Sequence, residues 1–338
     1  MSEKGMGKQT VALKNPPSIT AGACVVGKKE GDGPLKDSFD YIGEDSFFGM
    51  RTWEMAESEM QKTALREALR KAELTPSALN YIFAGDLLSQ CIGSAFGMRE
   101  MGIPFFGLYG ACSTMAEGLA LAAMTIDGGF ADNAAAVTSS HFCSAERQFR
   151  FPLEYGGQRT PTSQWTVTGA GAAILSGMGV APYVTHVTAG KLVDAGVKDA
   201  NNMGAAMAPA AFDTLTAHFT DTGRAHDYYD LILTGDLGEL GGDILLDLFA
   251  REGVDIKSRY NDCGRMIYPR DTADSNSGAS GCGCSAAVLM GHVLRGMRAG
   301  KWNNVLFAAT GALMSTTSSQ QGESIPSICT AVSISNMR

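Results

Sequence analysis

The chain repeats itself, and the repeat limits what it can fold into. Tyr81-Ile82-Phe83-Ala84-Gly85-Asp86-Leu87 is matched by Leu231-Ile232-Leu233-Thr234-Gly235-Asp236-Leu237, 150 positions later (235 minus 85). Further on, Cys112 to Thr138 lies over Cys284 to Thr310 without a gap, an offset of 172 (284 minus 112). Gly128 then falls on Gly300, and both segments read as a small-residue turn, an apolar helix, a glycine stop and a strand. The unequal offsets place a loop of changed length between the matches. Any two strand–helix units look somewhat alike, but two matches in the same order point to a duplicated unit. The expected fold is α/β, built from two similar halves, residues 1–178 and 179–338.

Strands and helices alternate around the repeats. Ser18 to Gly27, Leu79 to Ala84, Asn133 to Ser139, Thr166 to Leu175 and Tyr183 to Val193 read as strands. Ser46 to Glu73 reads as a long helical region with Ala, Leu and Met at 3–4 spacing. The 41 glycines among 338 residues suit many tight strand–helix turns.

Composition removes several function classes. A formal charge of −8 with no basic block argues against nucleic-acid binding. The eight cysteines form no Cys-x-x-Cys pair, and Cys282-Gly283-Cys284 is too close for a zinc knuckle, so no metal site is expected. Met1 to Pro16 has no apolar core of a signal peptide. Thr160 to Gly190 lacks Asp, Glu, Lys and Arg but is broken by Pro161, Pro182 and several glycines, which reads as buried strands rather than a membrane span. Reduced thiols on the cytoplasmic side of a membrane, with any membrane attachment peripheral, are the simplest expectation. No glycine motif carries the context of a nucleotide site, and no cofactor is expected.

The chemistry-bearing segment is Gly110-Ala111-Cys112-Ser113-Thr114-Met115. An apolar run, Ile103 to Tyr109, feeds a small-residue turn, and a helical pattern opens at Cys112. A thiol there meets unpaired backbone N–H groups that favour thiolate and bind anions. Asp86 and His141 stand at other strand ends of the first half, and the repeat adds Asp236, Cys284 and Ser285 from the second. Ligands of open α/β sheets bind at such strand ends. These six residues form the expected ligand site, small and mixed, suited to a compact planar anion. Gly-Asp after a strand is also a common turn in which the carboxylate caps backbone N–H groups, so a local role fits Asp86 and Asp236 as well. Arg147, Arg150 and Arg159, in a polar loop, are left outside the site.

With the duplicated halves and the Cys112 segment in view, the chain resembles the thiolase and ketoacyl synthase superfamily. The resemblance implies a layered α-β-α-β-α arrangement and a nucleophile position at Cys112. Working members flank that cysteine with a second-half His and then an Asn or His. Here the first place holds Thr234-Gly235-Asp236 and the second Ser280-Gly281-Cys282-Gly283-Cys284-Ser285, with Asn276 the nearest amide. A carboxylate beside a thiol raises its pKa, the opposite of activation. The motifs Gly107 to Met115, Ser139-Ser140-His141-Phe142 and Thr234 to Gly238 resemble, more closely, the stage V sporulation AD family of endospore formers. That resemblance implies a protein of the dipicolinic acid uptake apparatus at the forespore or spore inner membrane; with the second-half His and Asn missing, the expectation is a non-catalytic protein that binds dipicolinic acid. Asp86 and Asp236 would suit the dipicolinate dianion if Ca²⁺ travels with it, since carboxylates are calcium ligands; other stage V sporulation A membrane proteins would be partners, and a homodimer is open. A diverged acyl transferase or condensing enzyme using Cys112 and a purely structural scaffold remain alternatives.

Overall fold

Strand signals at the two repeats set the architecture. In a computed structural model, which describes residues 3–149, 159–270 and 275–338, the strands are β1 (Thr10–Ala12), β2 (Ser18–Val26), β3 (Tyr41–Ile42), β4 (Tyr81–Gly85), β5 (Phe105–Leu108), β6 (Asn133–Ser140), β7 (Trp165–Thr166), β8 (Gly169–Ser176), β9 (Tyr183–Thr188), β10 (Leu231–Thr234), β11 (Tyr260–Asp262), β12 (Ala279–Ser280), β13 (Asn304–Ala312) and β14 (Ser327–Ser335). Ten of them run in the order β11-β10-β13-β14-β9-β2-β8-β6-β4-β5. The order reads the same from either end: β5, β4, β6, β8 and β2 in one half answer β11, β10, β13, β14 and β9 in the other. The directions agree too, with β4 parallel to β5 and β6 as β10 is to β11 and β13. The two halves meet where Ser18 of β2 pairs with Tyr183 of β9. β1, near the start of the chain, crosses over to pair with β9.

The helices obey the same duplication. Trp53–Ala72 and Met203–Thr222 sit 150 residues apart at both ends. Each covers the outer face of its own half, the first on β2, β6 and β8, the second on β13 and β14. In the Trp53 helix, Ala56, Met60, Ala64, Leu65 and Ala68 point inward; the small residues let the helix approach the strands, and burying Met60 and Leu65 contributes about 1.5–3 kcal/mol each. The helix starts at Trp53 rather than Ser46. Phe48 and Gly49 both take positive φ, and Thr52 then caps by accepting the Met55 N–H at 3.2 Å.

The Thr114–Asp127 helix lies in the middle layer, touching β4 and β6 of its own half and β13 and β14 of the other. The helix opening at Cys282 lies beside it, on β6 and β8. Met115, Leu119 and Ile126 meet Leu289, Val293 and Val332 in one core shared by both halves. The five layers expected from the resemblance are present.

The structural register departs from the ungapped match at an offset of 172. β6 and β13 start 171 residues apart (304 minus 133), and Val288–Val293 forms a π-helical turn, which holds an extra residue. Cys282, not Cys284, therefore stands opposite Cys112 across the pseudo-twofold. The two share a small apolar cluster with Leu87, Ala111 and Ala145.

Close approach of the halves depends on Gly311, at the end of β13. A Cβ there would collide with the Gly110 carbonyl oxygen in the turn before Cys112. Gly311→Ala is expected to lower the unfolding free energy by about 1–3 kcal/mol, seen as a lower urea midpoint. An unchanged midpoint would contradict this packing.

Candidate functional site

Cys112 is delivered by a strained turn. β5 ends at Leu108, and Ala111 takes φ +50°, a left-handed conformation costly for a residue with a Cβ. Ala111–Ser113 forms a single 3-10 turn before the helix proper begins at Thr114. The Ser113 hydroxyl donates to the Gly110 carbonyl at 2.7 Å, and Thr114 Oγ1 donates to the Ala111 carbonyl at 2.7 Å. These bonds hold the turn and leave the thiol at the floor of a cavity.

That cavity encloses about 220 Å³. Its wall is largely apolar, from Leu87, Ala111, Ala145, Phe149, Met203, Ala312 and Met314. Tyr109, Cys112, Thr166, Asn201, Ser280 and Glu146 supply the polar groups. A more open groove of about 450 Å³, between Met50, Met55, Ile92 and Phe96 on the outer face, lies away from the thiol.

Beneath the thiol lies Asp236, fully buried. Its carboxylate accepts from Ser280 Oγ at 2.9 Å, from the Gly281 N–H at 2.9 Å and from Thr310 Oγ1 at 3.3 Å. Burial raises its pKa to about 6 against those donors. Burial, and then the adjacent Asp236, push the Cys112 thiol well above its ordinary value. Ser280 Oγ stands 4.0 Å from the sulfur. The thiol is thus held protonated, whatever its helix N-terminus would favour, because desolvation and a neighbouring carboxylate outweigh a partial dipole charge.

The other expected site residues turn inward to the fold. Asp86 accepts from the Leu88 N–H at 2.9 Å and from the Ser94 N–H and hydroxyl at 2.7 and 2.6 Å, the local capping role. His141 Nδ1 accepts the Cys143 N–H at 3.2 Å, which leaves Nε2 to donate to the Ser46 carbonyl at 2.7 Å. Burial lowers its pKa, and both ring nitrogens are engaged away from the thiol. Cys284 donates to the Gly235 carbonyl at 3.6 Å, and the Ser285 hydroxyl donates to Cys282 within its own helix at 3.3 Å. Of the six, Cys112 lines the cavity, Asp236 supports its floor, and Asp86, His141, Cys284 and Ser285 do not line it. Asn276 donates to the Thr160 carbonyl at 2.8 Å, so it does not replace the missing amide. Among the described residues no group of three or more His, Cys, Asp or Glu is placed to hold a metal ion.

Ser280, Tyr109, Asn201 and Glu146 were not singled out from the sequence. Ser280 had a signal, since it opens the small-residue segment before the second buried helix. Glu57 had none: it sits on a helix of ordinary amphipathic pattern, yet accepts from Ser139 Oγ at 3.0 Å and Ser144 Oγ at 2.7 Å in full burial. Burial, and then Asp86, raise its pKa. Arg147 pairs with Glu54 and Arg159 with Glu146; Arg150 lies outside the described residues.

Asp236 gives a pH prediction. Its folded pKa of about 6 stands above the value of about 3.9 in an unfolded chain. Its stabilising contribution is therefore complete below about pH 4 and lost as pH rises through about 6, a change of about 3 kcal/mol. Asp236→Asn is expected to flatten the wild-type loss of unfolding free energy across that window, measured by urea titration at several pH values. Parallel profiles for the two proteins would contradict the buried-acid geometry.

Comparison with known proteins identifies the family and the fold. The family model of stage V sporulation protein AD matches residues 7–335. Stage V sporulation protein AD of Bacillus subtilis (strain 168) is 44% identical over 326 residues, covering 96% of each chain. Among solved structures, 3-oxoacyl-[acyl-carrier-protein] synthase III from Aquifex aeolicus VF5 superposes with a TM-score of 0.56 at 14% identity, over 94% of this chain and 99% of that one. Cerulenin-bound OleA of Xanthomonas campestris gives 0.56 at 15% identity, over 99% of this chain and 100% of that one. At such identities these structures show the thiolase-like fold alone. The chain belongs to the stage V sporulation protein AD family, built on that fold.

Proposed function

We propose that the protein is a non-catalytic binding protein of sporulation, which holds dipicolinic acid in the cavity over Cys112. The observation that carries this reading is the Cys112–Asp236 pair. A nucleophilic cysteine needs a base or a cationic neighbour to become thiolate; this one faces a buried acid. The cavity above it, about 220 Å³, has apolar lining from Leu87, Phe149, Met203 and Met314 that suits the faces of a ring. The Thr166 hydroxyl and the Asn201 amide line the cavity and are the proposed donors to carboxylate oxygens; the Ser280 hydroxyl is spent on Asp236 and that of Tyr109 on the Leu87 carbonyl. The choice of dipicolinic acid comes from the family resemblance. Calcium carried with the ligand would offset part of its charge.

The same reading puts the protein at the forespore or spore inner membrane as a peripheral subunit beside other stage V sporulation A membrane proteins. No helix among the described residues is long and apolar enough to cross a membrane. A second copy is proposed to cover β5, an edge strand carrying half-exposed Phe105 and Phe106 and no charge. Phe106→Lys is then expected to shift sedimentation velocity from dimer to monomer; a wild-type monomer would remove the proposal.

Calorimetry with and without Ca²⁺ tests the ligand. Dipicolinate is expected to bind better than benzoate. Phe149→Ala should weaken it about tenfold, a loss near 1.4 kcal/mol, and Cys112→Ala should change it little. Incubation with acyl-CoA should leave Cys112 unmodified by mass. A stable acyl adduct on Cys112, or benzoate binding equal to dipicolinate, would sink the binding-protein reading and favour the diverged transferase.

A further inference from the structure

Among the described residues lining the cavity, Glu146 is the charged one. It is 6% exposed. A bare carboxylate in a mostly apolar wall repels anions and costs folding energy. Arg159 Nη2 meets Glu146 Oε1 at 3.0 Å. The guanidinium is itself fixed: Nη1 donates to the Gln164 carbonyl at 3.0 Å, and its carbon lies 4.6 Å from the Trp165 ring centroid and 5.4 Å from that of Phe142. Those two rings stack with centroids 4.0 Å apart. An arginine held this way by a carbonyl and an aromatic face keeps its charge in one place.

We infer that the Glu146–Arg159 ion pair selects the charge of what enters the cavity, the guanidinium offsetting the wall carboxylate so that carboxylate ligands are accepted. Loss of Arg159 removes one positive charge beside the wall carboxylate and makes the cavity less favourable to anions. Without Glu146 the guanidinium loses its carboxylate and draws them in. Neither side chain is a catalytic residue; both set specificity through the field at Cys112. The inference rests on this cavity being the ligand site proposed above.

The test uses Cys112 in the full chain as its own probe. Iodoacetate and iodoacetamide are similar in size and differ by one negative charge. Their alkylation rates at Cys112 are read by mass spectrometry of the peptide that contains it. Both consume the same thiolate, so their rate ratio cancels any change in the thiol's pKa. Arg159→Gln is expected to lower the iodoacetate to iodoacetamide ratio about tenfold, near 1.4 kcal/mol for one charge acting on the cavity that Glu146 and Cys112 both line. Glu146→Gln should raise it by a similar factor, and the double variant should return to within about threefold of wild type. Ratios unchanged within about twofold in both single variants would overturn the inference. If Arg159→Gln unfolds, its iodoacetamide rate at Cys112 rises to that of denatured protein, and Glu146→Gln alone decides. Dipicolinate calorimetry on the same samples separates the two ideas. Shifted ratios with no dipicolinate binding leave the charge selector and remove the proposed ligand; binding with flat ratios does the reverse.

Discussion

The buried carboxylate of Asp236 is the contact on which the centre of the molecule depends. It follows β10, accepts from Ser280 and Gly281 where the second buried helix opens, and takes a further bond from Thr310 on β13. Three elements of one half are thereby tied at a single acid, and the acid stands against the cysteine of the other half. Removing one partner from such a network leaves buried donors unpaired, which costs about 1–3 kcal/mol each. The same contact that fixes the strand ends also keeps the thiol neutral. The strand-end bonds and part of the rise in the thiol's pKa, after burial itself, go back to the same acid.

Duplication explains why a cavity lies at this point. Two halves with strand ends aimed at their shared helices leave a gap where the turn before Cys112 and the turn before Cys282 meet. Gly311 permits the backbones to approach, and the left-handed Ala111 lifts the cysteine into the gap. The charged and polar groups near these strand ends are spent on the fold instead. His141 tethers the Ser46 loop, Asp86 caps the segment after β4, and Glu57 binds the hydroxyls of Ser139 and Ser144. Among the described residues, what faces the cavity is apolar wall, a few hydroxyls, the Asn201 amide, the Cys112 thiol and Glu146 paired with Arg159.

Much of the fold was legible in the sequence because repeats carry both periodicity and spacing. The 150-residue offset brought Trp53–Ala72 over Met203–Thr222 and β4 over β10. The ungapped match, at an offset of 172, is two residues out at the cysteine and one out at β6 and β13; the extra residue in the π-helical turn accounts for the difference between those two errors and leaves no mark in composition. Cys112 and Asp236 could be found from motif and repeat, and their opposition could be reasoned from charge. Asp86 and His141 could not be placed, because a strand end fixes where a side chain starts, and its local backbone decides where it turns. Asn201, Met203 and Met314 reach the cavity from segments with no motif, brought there by tertiary packing alone.

The most direct test is the ionisation of Cys112 in the intact protein, followed through the pH dependence of its alkylation at that peptide. A thiol buried against Asp236 should show no thiolate plateau below about pH 9, above the free-cysteine value of about 8.5. A plateau reached near pH 7 would mean an activated thiolate, and would contradict the claim that Asp236 holds this cysteine neutral.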